Sequence, residues 1–336
     1  MKTRSFFACL IVACSCFYLF VPTLRAQANE GRPQMDSGEM KALQAIQAAP
    51  DLNAKLSAAD AYVKKYPKSL AQKRVAGELL KQIAGVTDLT QKLALLQSFS
   101  KIFTDEAEIK QVEPILIATQ IGLKQFDEAF SAAATFLPKN PEDIQDLINL
   151  TIAATEQAKQ GNPKFVKPGK DYGTAAIAML EADRKPAYVD VANWDSYKKM
   201  MPDLYQEMAV ISLMDHNATD AQANLGKAMK LNPSDPFNYV LSAGVVNDEY
   251  QRTAQTYKTM PESKAKTDML QRATDLLDNV IDLQAHAVAL SEGRPEYQKL
   301  HDQELSDLTI YFKYRHHNAT DGLQQLIDKY KPAAKP

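Results

Sequence analysis

Five histidines, three cysteines and 41 acidic residues are the chain's stock of side chains able to do chemistry. His301-Asp302-Gln303-Glu304 puts an imidazole and a carboxylate one turn apart on one helical face. His316 and His317 are adjacent, so they diverge on a helix. A metal site needs three or four converging ligands, and no HExxH or comparable motif supplies them. These histidines therefore read as solvated or capping groups, and His316-His317, close to a helix end, suits partial positive charge there. No GxGxxG or phosphate-loop motif supports nucleotide binding, and no GxSxG elbow supports a serine hydrolase. Carboxylates are too plentiful for a catalytic pair to be picked from spacing. The expectation is a protein without catalytic residue, metal or cofactor.

All three cysteines, Cys9, Cys14 and Cys16, lie near the amino terminus. Lys2 and Arg4 give a basic start, Phe6 to Val21 is nearly unbroken apolar sequence, and Ala26-Gln27-Ala28 fits the small-x-small cleavage pattern. Residues 1–28 read as a secretory signal peptide; the rival reading is a retained membrane anchor, for which the run is short. Ile11-Val12-Ala13-Cys14 resembles a bacterial lipoprotein box, which would acylate Cys14, although the sequence after Cys14 stays apolar. Cleavage after Ala28 leaves no cysteine, hence no disulfide or thiolate metal site. It also leaves 36 basic against 41 acidic residues, a net of −5 instead of −2. That is no electrostatic footprint for nucleic acid. Export to a periplasm or beyond is expected, with membrane attachment only if Cys14 is lipidated.

The elements that position everything else are helices. In Tyr205–Pro233, Tyr205, Met208, Ala209 and Ser212 follow helical period. His216-Asn217 ends that helix, Thr219 or Asp220 can cap the next, Ala221, Leu225 and Ala228 share a face, and Asn232-Pro233 stops it. This spacing resembles a tetratricopeptide repeat, a helix pair of about 34 residues. Tyr205 takes the Trp place, Met208-Ala209 the Leu-Gly place, Ala221 and Leu225 the small and aromatic places, and Ser212 stands where the family has Tyr. The pattern recurs at Ile117, Phe126, Ala129, Ala133, Phe136 and Pro141. Ile117 to Ala129 and Ala209 to Ala221 are both offsets of 12, and both stretches end in Asn-Pro.

Residues 29–38 read as a flexible lead, 39–330 as the repeat array and 331–336 as a disordered tail. Asp51, Asp88 and Asp143 sit where they can cap helices, and Ser263 to about Leu290 reads as one long amphipathic helix. The segment AADAYVKKYPKS resembles second-helix endings in envelope-assembly and cell-division coordinator proteins of Gram-negative bacteria. Gly161, Pro163, Pro168 and Gly169 mark 160–171 as an inserted loop, and Lys185-Pro186 to Pro202 marks a second insertion at 185–202. Asn217-Ala218-Thr219 and Asn318-Ala319-Thr320 match the glycosylation acceptor pattern and read as helix-start caps. A single repeat cannot bury its apolar face alone, so the fold expected is all-α, a right-handed superhelix of about six or seven stacked helix pairs.

The resemblance implies a scaffold or adaptor that grips a protein or peptide partner in its concave groove. Trp194 and Tyr197 either fill the joint beside the second insertion or line that groove as anchors. Asp203, Gln206, Val210 and Leu213 take inward places, as do Pro114, Ala118 and Ile121 one repeat earlier. None of these builds the basic, Asn-rich clamp with which chaperone-binding members hold a terminal carboxylate. Two other readings stay open: a lipid-anchored structural component of an envelope complex, and an enzyme or glycan-binding protein with a deep polar pocket near Phe165, Trp194 and Tyr197.

Overall fold

The computed structural model describes residues 36–332. The signal-peptide reading of 1–28, the lipidation candidate Cys14, residues 29–35 of the lead and residues 333–336 of the tail lie outside the described residues. Among the described residues all regular structure is helical: α1 (Ser37–Ala48), α2 (Leu52–Lys65), α3 (Gln72–Ala84), α4 (Leu89–Ile102), α5 (Glu106–Gly122), α6 (Phe126–Phe136), α7 (Ile144–Lys159), α8 (Val166–Glu181), α9 (Val191–Lys199), α10 (Met201–Met214), α11 (Ala218–Leu231), α12 (Pro236–Thr259), α13 (Lys264–Ser291), α14 (Gln298–Arg315) and α15 (Leu323–Asp328). None of them is long and apolar enough to cross a membrane.

The helices pair along the chain, α1 with α2, α3 with α4 and so on, and each pair packs on the next. First helices α3, α5, α7 and α10 touch in sequence, while second helices such as α2 and α4 form the other layer. α9 stands outside this alternation. The result is an all-α, tetratricopeptide-like solenoid. Its apolar interior is correspondingly segmented: one cluster spans α1 to α5, a larger one α5 to α11, and smaller ones the carboxy-terminal helices. Offset-12 pairs do the closing. Ile117 and Ala129 are fully buried in one cluster, and Ala209 and Ala221 in another.

Capping fixes most helix starts. The side chains of Asp51, Asp88 and Asp143 each accept from the backbone N–H three residues on, as N-cap residues do, and Ser263 opens α13 in the same way. Four expectations need correction. The first helix begins at Ser37, capped by Asp36, so the lead ends earlier than residue 38. The cap of α11 is Asn217, which accepts from Asp220 N at 3.0 Å, and not Thr219 or Asp220. Asn318 caps nothing: it sits at φ +73° in the turn after α14, and α15 starts beyond Gly322. Lys331, assigned to the tail, pairs with Glu292 and Asp328 at 2.8 and 2.9 Å.

The inserted loop at 160–171 is also mostly helix. Only Gln160–Asn162 turns; Pro163–Phe165 is a 3-10 turn and α8 begins at Val166. Pro163 opens the 3-10 turn and Pro168 lies in the first turn of α8, where a backbone N–H has no helical acceptor to lose. Gly169 and Gly173 are there because α8 lies against its neighbours at backbone distance. A methyl group on Gly169 would meet the Ala154 side chain, and one on Gly173 would meet Met208 and Thr151. The second insertion, 185–202, is a short connection followed by α9, and Pro202 opens α10 rather than ending a segment.

Candidate functional site

α10 and the connection that joins α8 to α10 hold the described residues singled out from sequence, and α7 lies against both. Trp194 is corrected as a groove anchor: it is 3% exposed, lies in the largest apolar cluster and donates its indole N–H to Asp183 at 2.7 Å. It fills the joint, because a ring of that size on a nine-residue helix has no other route out of water. Tyr197 is half-buried and donates to Gln145 Oε1 on α7 at 2.5 Å, so it ties α9 to the inward face. Asp203 is exposed at the start of α10; desolvation first, then Asp235 and Glu207, push its carboxyl up. Gln206 bridges repeats, donating to Asp235 at 2.6 Å and to Asn238 at 2.9 Å. Val210 is buried and Leu213 half-buried between helices, so of the inward places on α10 only Asp203 and Gln206 present polar groups.

Phe165, Trp194 and Tyr197 do not share a pocket. A shallow hollow of about 370 Å³ lies beside Phe165, walled by Phe130, Phe165, Pro168 and Tyr172 of the second-helix layer; Trp194 and Tyr197 do not line it. The deep polar pocket expected for an enzyme or glycan-binding site is not what these residues make. His301 and Glu304 are likewise no ligand pair. The His301 ring lies 3.2 Å from Ser291 Oγ and from the Val288 carbonyl. Among the described residues no three His, Cys, Asp or Glu side chains are placed to hold a metal.

Sequence reasoning missed the most unusual group on α7. Asp146 is 0% exposed and neither carboxylate oxygen has a hydrogen-bond partner. Burial, then Asp143, then Glu113 push its carboxyl well above the ordinary range. Asp143 and Glu113 are raised as well, chiefly by burial. The spacing Asp143-Ile144-Gln145-Asp146 was the available signal, since it has the form of a capping box. Half of that box forms, Asp146 N to Asp143 Oδ1 at 3.2 Å. The return bond does not, because Asp143 N already donates to the Asn140 carbonyl at 3.1 Å. Tyr188, from the connection before α9, reaches this corner and donates to the Glu142 carbonyl at 3.0 Å. Its phenol is raised by desolvation and by Asp143, Tyr197 and Asp146.

Solved structures that resemble the chain include two tetratricopeptide repeat proteins. A tetratricopeptide repeat protein from Parabacteroides merdae is 13% identical over 86% of this chain and 95% of its own, with a TM-score of 0.37. A thermophilic TPR protein from Thermus thermophilus is 14% identical over 69% of this chain and 98% of its own, with a TM-score of 0.34. No family model and no curated protein matches the sequence. The tetratricopeptide-like character therefore rests on the chain's own geometry: helix pairs stacked in order, closed by buried residues at offset 12 and broken by one short extra helix.

Proposed function

We propose that this protein is an exported, non-enzymatic scaffold that binds a protein or peptide through the inward faces of α7 and α10. The observation that carries the reading is the stack itself. Its inward helices present half-buried polar groups, Gln145 and Gln206 among them, instead of a closed reaction pocket. Extended polar surfaces on rigid helix stacks are what repeat arrays use to hold partners. Export is supported by the basic start, apolar run and small-x-small site of residues 1–28.

A photoreactive residue at Asp203, compared with one at Gln222 on the exposed face of α11, tests the binding face in living cells. Capture of one or a few defined proteins from position 203 and not from 222 is the expected result. Equal capture at both, or none at 203, contradicts the reading. The mass of the native amino terminus tests the address: a start at Asn29 fits a released protein, and an acylated Cys14 fits the membrane-anchored alternative.

A further inference from the structure

We propose that the corner of α7 built by Asp146, Asp143 and Glu113 is a subsite for a primary ammonium group, brought by the partner and admitted when Tyr188 moves aside. The proposal rests on the groove-binding reading above and names the chemistry that groove selects. Three observations converge. A carboxyl group without a partner is sealed at the first turn of an inward helix. A buried polar group without a partner opposes folding, more so when charged, so its retention calls for a ligand. Second, its neighbours add negative potential: Asp143 on the same turn and Glu113 on α5, against Lys110 on α5, which acts on Asp143. Third, an exposed connection borders this corner, and its tyrosine feels both Asp143 and Asp146. Tyr188 is 56% exposed and its hydroxyl is seated on the Glu142 carbonyl.

An ammonium group carries three donors and one charge. It can serve both orphan oxygens of Asp146 and leave a bond for Asp143. A guanidinium is wider and planar, a poorer match to a carboxyl with no exposed surface. Because Asp146 is raised in the free protein, a cation must displace its proton, so binding tightens as pH rises. The groups that set this response are Asp143, Glu113, Lys110 and Tyr188.

Two probes distinguish the sources of the ammonium: an acetylated, amidated pentalysine, which offers only side-chain amines, and triglycine amide, which offers only a chain amino terminus. Fluorescence anisotropy of labelled pentalysine, and competition by triglycine amide, are read at about pH 5.5 and pH 8 with the whole protein. At least one probe binds, more tightly at the higher pH. Asp146→Asn and Glu113→Gln each weaken it about tenfold or more, as loss of a buried charge partner does. Asp302→Asn, on the exposed side of α14, leaves it unchanged. Tyr188→Ala speeds association. Asp146→Asn also raises the melting temperature, since the sealed carboxyl opposes folding. Unchanged binding in Asp146→Asn and Glu113→Gln, equal loss in Asp302→Asn, slower association in Tyr188→Ala, or a lower melting temperature in Asp146→Asn overturns the proposal. Partner capture from position 203 without binding of either probe removes this subsite alone, whereas failure of both removes the groove reading too.

Discussion

Gly169 and Gly173 show how one missing methyl group sets the spacing of a repeat. Both lie in α8, where Ala154 and Thr151 of α7 and Met208 of α10 leave no room for a Cβ. Gly169→Ala should cost about 1–3 kcal/mol through overpacking, with Ala154 on a helix that cannot retreat. Gly244→Ala, in the middle of α12 with nothing within 4 Å, should instead gain about 0.5–1 kcal/mol from helix propensity. Urea unfolding of the two variants checks the opposite signs. Glu304 gives a prediction in pH. Burial first, then Asp307, push its carboxyl up to about 7. The folded chain therefore keeps a proton that the unfolded chain releases at lower pH. Its stabilising contribution is complete below the unfolded value and falls as pH rises toward about 7. Glu304→Gln should flatten that slope, giving a variant with little advantage near pH 4 and a clear one at about pH 8 in thermal melts.

Helix boundaries depend on single side chains, and α11 is the test case. Asn217 accepts from Asp220 N and its amide donates to the Asp220 carboxylate at 2.7 Å. Lys170 of α8 reaches the same carboxylate at 3.3 Å. Asn217→Ala should cost about 1 kcal/mol of stability, whereas Thr219→Ala, at an exposed place, should stay within about 0.5 kcal/mol. Equilibrium denaturation separates the two. Caps of this kind are readable from sequence, and Asp51, Asp88 and Asp143 were found that way. At α11 the sequence left Asn217, Thr219 and Asp220 open, because several capping residues stand in a row and only the path of the chain out of α10 decides which one lies at the boundary. The proline-rich stretch after α7 misled for a related reason. Gly and Pro signal a break locally, but Pro163 and Pro168 sit where helices tolerate proline, and the glycines answer a packing demand from α7 and α10.

At the scale of the whole molecule, the interior is a row of apolar clusters. Leu96 is fully buried in the cluster of α1 to α5, and no residue of that cluster belongs to α12 or beyond. Arrays of this kind are held by nearest-neighbour contacts, and their parts open with different free energies. Leu96→Ala should cost about 2–5 kcal/mol and speed amide exchange in α1 to α5 while leaving α13 and α14 nearly unchanged. Hydrogen exchange read by mass spectrometry checks the confinement; uniform acceleration along the chain would mean a single cooperative unit.

From the sequence alone came the helical class, the paired organisation and the apolar face of nearly every helix, because periodicity and capping are local properties of roughly ten to thirty residues. That Asp203 and Gln206 lie one turn apart on α10 was legible for the same reason, since an established helix phase tells which side chains share a face. Burial of Trp194, the tie from Tyr197 to Gln145 and the isolation of Asp146 were decided only by tertiary structure. The first two depend on how the connection between α8 and α10 runs, and the third on what packs against α7. Whether a carboxyl at the start of a helix meets water, a partner or neither is settled by residues far along the chain, such as Tyr188 against Glu142, which no local pattern records.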